Sequence, residues 1–306
     1  MYLSVYLPLL FSAVFGLAAP VLARRLPPHV ATWLLSVGGL LSAAASSASL
    51  ALLAFLFLAQ NPVLMARGHW SENFLRGHAE YAVPVGALAT VAVGLFAARF
   101  VRAAARRVTA VRDAYRLAAA LPVSGGELAV LDAADRQAFA VPGRPGRIVV
   151  TTGLLRSLDA GQRRALLAHE RAHLARRHHL HQSVVAVAAS VNPLLGQLPA
   201  ALELSCERWA DEDAARVCQR ATVADALTLA ATGTPLTAPA VVLAAAGGDV
   251  ATRVVALYAP APKLVVWRVT LLSVLLAATA VAVALALHDT ERLFELAQSA
   301  YRTGKR

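Results

Sequence analysis

Apolar residues run along this chain in long blocks rather than at the spacing of a half-buried strand or a one-faced helix. Residues 3–22 (LSVYLPLLFSAVFGLAAPVL), 31–59, 82–98 and 264–287 are each nearly free of charge. A hydrocarbon core of about 30 Å needs roughly 20 apolar residues as helix, so the pattern predicts four membrane-spanning helices. The first ends at Arg24-Arg25. A cleaved signal peptide carries its basic residues before the apolar run, not after it, which favours a retained span. The second is longer than a bilayer requires and should tilt or bend. Its centre, Ser42 to Ser49, is built of small residues suited to close helix packing.

Between the spans the pattern changes. The connection Gln60–Glu80 is polar, and the third span is followed by Arg99, Arg102, Arg106, Arg107, Arg112 and Arg116 with only Asp113 among them. The positive-inside rule then puts this end in the cytoplasm, the Arg24-Arg25 turn with it, and the N-terminus and the Gln60–Glu80 connection outside. From Leu121 to Pro262 the chain reads as a small globular domain punctuated by Pro122, Gly125-Gly126, Pro142-Gly143 and Pro145-Gly146. Short strands are expected at 127–132, 137–141 and 147–151. Residues 183–202 (SVVAVAASVNPLLGQLPAAL) could also be counted as a span. A single crossing there would separate His169 from Glu207, so the segment should return on itself, bending at Asn192-Pro193, as a membrane-embedded hairpin or helix pair packed on the other spans, or equally as the buried core of a soluble-type domain.

Composition supports the membrane reading: 58% of the 306 residues are hydrophobic and 15% charged, against about 25% charged in an ordinary soluble domain. The net charge of +11 is explained by arginines beside spans and by anionic lipid, and direct nucleic acid binding is not expected. Basic residues are 27 Arg and only Lys263 and Lys305, which with the alanine richness points to a GC-rich bacterial genome. Cys206 and Cys218 match neither a disulfide framework nor a zinc pair and are expected to be buried thiols.

Candidate chemistry lies in the globular domain. Asp159 and Gln162 have the spacing of a capping box and open a helix expected to run through QRRALLAHERAHLARRHHLH. That helix carries His169-Glu170-Arg171-Ala172-His173. Residues four apart share a helix face, so both imidazoles can bind one zinc ion, while Glu170 can reach a water on the open side as general base. A third protein ligand is required. Glu207 and Asp211, at i and i+4 of a second helix that also carries Glu203, supply a ligand and a carboxylate to orient a histidine. His178, His179 and His181 read as solvated polar residues near the membrane surface rather than a second metal site.

The segments Ala138-Phe-Ala-Val-Pro-Gly, Arg147-Ile-Val-Val-Thr-Thr-Gly-Leu-Leu, Ala165-Leu-Leu-Ala-His-Glu-Arg-Ala-His-Leu and Glu207-Arg-Trp-Ala-Asp211 resemble the gluzincin core of two groups of integral-membrane metallopeptidases. These are the HtpX/CAAX-prenyl-protease group and the BlaR/MecR-type β-lactam-sensor peptidases. The resemblance implies His169, His173 and Glu207 as ligands of one Zn2+ per chain, Glu170 as catalytic base, and a substrate edge strand at Ile148, Val149, Val150 and Thr151. Arg253 stands in an Arg-x-x-x-Leu element resembling the one that follows the ligand helix in these families, where it would contact the substrate or transition state, pair with an acid in the cleft, or cap the helix after Gly247-Gly248. Three spans, a zinc domain and one more span match the BlaR/MecR plan. Only 19 residues follow Leu287 and no S-x-x-K motif is present, so a relative without the β-lactam sensor is expected.

The resulting expectation is a mainly α-helical integral membrane protein with about four transmembrane helices and a cytoplasmic α+β gluzincin-type zinc metallopeptidase domain. Its parts would be 1–99 with three spans, 100–263 as the peptidase domain with a membrane-associated segment 183–202, a fourth span at 264–287, and a short external tail at 288–306. Placed in a bacterial inner membrane among lipid, it would hydrolyse a protein substrate, a winged-helix repressor or itself. An HtpX-like quality-control protease and a non-catalytic receptor with structural zinc are the rival readings.

Overall fold

The computed structural model describes residues 3–71, 73–75, 82–121, 126–232, 248–261 and 263–303. Pro122, Gly125, Gly247, Pro262, Lys305, Arg306 and the end of the Gln60–Glu80 connection lie outside the described residues. The chain begins with a 3-10 turn at Leu3–Val5 and continues as α1 (Leu7–Ala23), α2 (Pro28–Leu58), α3 (Pro62–Gly68) and α4 (Ala82–Ala120). Three strands follow, β1 (Leu128–Leu131), β2 (Ala138–Val141) and β3 (Arg147–Thr151). The remaining described elements are helices: α5 (Thr152–Ser157), α6 (Ala160–Ala175), α7 (His178–Val191), α8 (Leu198–Ala214), α9 (Arg220–Thr232), α10 (Gly248–Tyr258) and α11 (Val266–Thr303).

Among the described residues three helices, α2, α4 and α11, are long and apolar enough to cross a membrane. With 17 residues, α1 lies at the lower limit for a crossing. Two helices run beyond the expected spans. The helix expected at 82–98 continues without a break to Ala120, about 58 Å in all, because the arginine-rich stretch after it is also rich in alanine, a strong helix former. The helix over the expected span 264–287 runs on to Thr303. Its extension packs Phe294 against Trp70 and Phe55, and Ser71 donates its backbone N–H to Ala297 O at 3.1 Å.

The segment 183–202 does turn back. α7 ends at Asn192, whose Oδ1 accepts from Leu194 N–H at 3.0 Å, and a 3-10 turn at Pro193–Leu195 leads into α8. The turn is wedged between α1 and α2: Asn192 Nδ2 donates to Ser12 Oγ at 2.8 Å and to Ser46 Oγ at 3.0 Å. Only glycine fits at position 16, where a Cβ would lie 2.0 Å from Leu194 O. Phe15, Leu35, Val185, Leu195, Leu198 and Leu202, all fully buried, join α1, α2, α7 and α8 in the largest apolar cluster.

The two ends of this bundle differ. At one, Arg208 of α8 donates to Arg24 O and Arg268 of α11 to Arg25 O, both at 2.9 Å. Arg147 also reaches Ala118 O there, tying the sheet to the end of α4. At the other end, Ser4 meets Asp289. The sheet has the order β1-β3-β2, with β1 parallel and β2 antiparallel to β3. This corrects the expected edge strand: Ile148, Val149, Val150 and Thr151 are buried on the middle strand, paired on both sides. Their backbone groups face other strands and cannot pair with a substrate. The free edge toward α6 is β2.

Candidate active site

Local chemistry explains why α6 starts where it does. Asp159 Oδ1 accepts from Gln162 N–H at 2.8 Å and Gln162 Oε1 from Asp159 N–H at 3.0 Å, the capping box the spacing predicts. The helix does not run on to His181, however. It stops at Arg176, and Arg177 takes a left-handed conformation, φ 52°, before α7 begins at His178. This break folds His178 back toward His173. The histidines expected to be solvated are therefore largely interior: His178 and His181 are buried and His179 is half-buried.

Helix α8 lies across α6 with Leu198, Leu202, Cys206 and Trp209 turned into the bundle. Glu207 and Asp211 face α6, while Glu203 is exposed and takes no part. The expected ligands converge. His169 Nε2 lies 3.0 Å from His173 Nε2, Glu207 Oε2 3.5 Å from His169 Nε2, and Glu207 Oε1 3.4 Å from His173 Nε2. The three donor atoms all lie within 4.8 Å of one another. A tetrahedral zinc with bonds of about 2.0–2.1 Å separates its ligand atoms by about 3.3 Å, so both the donor set and its spacing fit zinc.

Neighbouring groups fix the orientation of each candidate ligand. Asp211 Oδ1 accepts from His169 Nδ1 at 3.0 Å, which leaves Nε2 free to ligate. On His173 the corresponding partner is His178, with the two Nδ1 atoms 3.0 Å apart. A ligating Nε2 puts the His173 proton on Nδ1, so His178 Nδ1 accepts it and His178 carries its own proton on Nε2. That Nε2 is buried and has no hydrogen-bond partner among the described residues. Sequence reasoning missed this role because His178 was placed on a continuous helix.

Arg253, on α10, is 9% exposed and lies within the site. Its Nε and one terminal nitrogen each donate to Asp211 at 2.8 Å, and the other lies 2.8 Å from Glu207 Oε2. It braces carboxylates. Burial alone would raise Glu207, but the His169 hydrogen bond and the Arg253 charge hold it down at about 2. Burial would likewise lower His169, yet its hydrogen bonds to Asp211 and Glu207 raise it to about 10. His173 is lowered to about 4 by burial and the neighbouring His169 charge.

Glu170 is 8% exposed, faces the cleft beside the cluster and accepts a hydrogen bond from the Ala140 backbone on β2. Burial raises its carboxyl above the ordinary value, the direction that makes a carboxylate a better proton acceptor. Cys206 is buried and Cys218 half-buried, and both are free thiols.

The sequence profile of Peptidase family M48 matches residues 102–231. That stretch holds His169, Glu170, His173, Glu207, Asp211 and the sheet, and stops short of Arg253. Together with the apolar helices, the match supports a zinc metallopeptidase of membrane type. No curated protein and no solved structure matches the chain.

Proposed function

We propose that this protein is a membrane-embedded zinc-dependent endopeptidase in which His169, His173 and Glu207 hold one zinc ion and Glu170 is the catalytic base. The observation that carries the reading is the convergence of two imidazoles and a carboxylate with Glu170 beside them on the same cleft. A zinc ion at such a site supplies Lewis acidity toward the scissile carbonyl and the attacking water. Glu170, steadied by the Ala140 amide, takes the proton from that water and delivers it to the leaving amine. Asp211 holds the His169 tautomer and His178 that of His173, while Arg253 keeps Glu207 and Asp211 ionised. Substrate backbone pairs with the free edge of β2 through Ala138 and the Ala140 carbonyl, which point away from β3, the Ala140 amide being taken by Glu170.

The substrate is a protein reached from the cytoplasmic face of a bacterial inner membrane, and the role is signalling through cleavage of a repressor of winged-helix kind or of the chain itself. Supporting this role over general protein clearance, Arg208, next to Glu207, is bonded to the α1–α2 turn, so a shift of the membrane helices reaches the metal ligand directly.

The test is Glu170→Gln. This variant should retain zinc and fold, and should lose hydrolysis; cleavage at the parental rate would refute the mechanism. Used as a trap in cells, it should retain one full-length partner, whereas a broad set of membrane proteins would favour quality control.

A further inference from the structure

The cleft over the metal cluster is open at both ends, and the ends differ in chemistry. Beside His169 and Glu170 lies a cavity of about 430 Å³, floored by the buried Leu154, Ala165, Val223 and Ala226 and walled by Leu227 and Val250. Its charged members are Glu170, Glu207, Asp211 and Arg253 around the cluster and the exposed Arg136. A middle cavity of about 310 Å³ places His169, Glu170, His173 and Glu207 against Ala138, Phe139 and Ala140. A third, of about 590 Å³, is lined by Arg144, Arg171, Arg177 and His179 with a single acid, Glu127. Glu127 is ion-paired with Arg171, while Arg144 and Arg177 have no acidic partner among the described residues.

The three cavities form one groove. The middle one shares Ala138, Phe139, His169, Glu170 and Glu207 with the first, and Pro142, Leu174 and His179 with the third. The stretch from Ala138 to Pro142 runs along the groove, lining the first cavity at Ala138 and Phe139 and the third at Pro142. Antiparallel pairing is the stronger arrangement, so a peptide on this edge runs with its N-terminal part toward Pro142 and the arginines and its C-terminal part toward Ala138 and the apolar cavity. Ala140 marks the reacting centre, because its amide holds Glu170. Pro142 to Arg144 are two to four positions farther along.

We infer that this groove selects peptide segments with an acidic residue about two to four positions before the scissile bond and a bulky apolar residue just after it. The inference rests on the endopeptidase reading and adds the substrate class to it. Arg144 and Arg177 attract the acid by charge, and the cavity over Leu154 and Ala226 buries the apolar side chain.

The experiment uses the full-length, zinc-loaded protein in detergent with a peptide library of mixed sequence, reading cleavage sites by mass spectrometry. Acidic residues should be enriched at those positions and Leu, Phe or Met after the cut. In the double variant Arg144→Glu and Arg177→Glu, preference should turn from acidic to basic residues, with about a tenfold fall in kcat/KM for an acidic peptide, since each exposed pair contributes a few-fold. The same reversal should appear without turnover, as fluorescence anisotropy of labelled acidic and lysine-containing peptides on the Glu170→Gln protein. Ala226→Phe should narrow the residue accepted after the cut to small side chains. Cleavage with no acidic preference, or with a preference the double variant leaves unchanged, would overturn the groove assignment and leave the peptidase standing. Loss of binding to vesicles rich in anionic lipid, with cleavage preference unaltered, would also overturn it and assign the arginines to headgroups. Absence of any Glu170-dependent cleavage would instead remove the endopeptidase reading itself.

Discussion

Replacing Arg253 by leucine should destabilise the zinc-free protein more than any other single change at the site. Three contacts of 2.8 Å would be lost, two to Asp211 and one to Glu207. The Asp211 side chain is 4% exposed, so water cannot replace them. Removing one partner of a buried ion pair costs about 3–5 kcal/mol, because the remaining charge stays desolvated. For a domain of 150–250 residues each kcal/mol moves Tm by about 2–4 °C, so the zinc-free variant should melt at least about 6 °C lower. Trp209, whose ring lies 5.3 Å from that of His178, reports on this region by fluorescence. Zinc should narrow the difference, since its charge compensates Glu207 directly and Asp211 through His169. Acid sensitivity should change as well. Burial would raise Asp211, but hydrogen bonds from Arg253 and His169 hold it well below the ordinary carboxylate range. A carboxylate depressed in this way adds stability above its unfolded pKa of about 3.9, and that stability is lost as pH falls through the folded value. Without Arg253 the depression shrinks and acid unfolding should begin at higher pH. Adding Asp211→Asn to Arg253→Leu should recover part of the loss. Equal melting of wild-type and Arg253→Leu zinc-free protein would refute the bracing role.

Three further outcomes follow from the same geometry. His178→Ala should weaken zinc binding by about 10–100-fold in competition with a chelator, with His178→Asn keeping part of it through an acceptor for the His173 proton; unchanged affinity in the alanine variant would dismiss the His173–His178 contact. Zinc affinity should rise about tenfold per pH unit through the neutral range, with about one proton released per ion. His169, raised to about 10, must give one up, whereas His173, lowered to about 4, is already neutral; calorimetry in buffers of different ionisation enthalpy reads the count, and a count of zero would refute it. Gly16→Ala should cost about 1–3 kcal/mol, because a Cβ there meets Leu194 O at 2.0 Å, and a melting temperature unchanged in detergent would show that the hairpin does not rest on α1.

The parts of the site legible in the sequence are those whose spacing is fixed within one helix. His169, Glu170 and His173 are set by helical periodicity, and so are Glu207 and Asp211, so each pair needed only its helix to form. What joins one helix to the other is tertiary, and there sequence reasoning failed in definite ways. The left-handed Arg177 is not announced by a glycine or asparagine, and missing it turned His178 from an interior partner of a ligand into a surface residue. The edge strand was misassigned although a signal was present. Arg147 to Thr151 contains three consecutive apolar residues, the mark of a strand covered on both faces, whereas Ala138 to Val141 is half-buried at alternate positions.

The hairpin shows a stronger kind of inference, because it follows from function rather than from propensity. Residues 183–202 are apolar enough to be counted as a span, and only the requirement that His169 and Glu207 share one ion forces their return. The structure adds how the return is made. Asn192 satisfies Leu194 with its carbonyl and anchors α1 and α2 with its amide, so the polar backbone of a sharp turn is satisfied inside an apolar bundle, where an unpaired group is costly. Because α8 leaves this turn and carries Glu207 nine residues after Leu198, with Arg208 bonded to Arg24 O, the proposed metal ligand is held by the apolar helices at both ends of its own helical segment. Displacing α1 relative to α2 must therefore move Glu207, strain Asn192 or break the Arg208 contact.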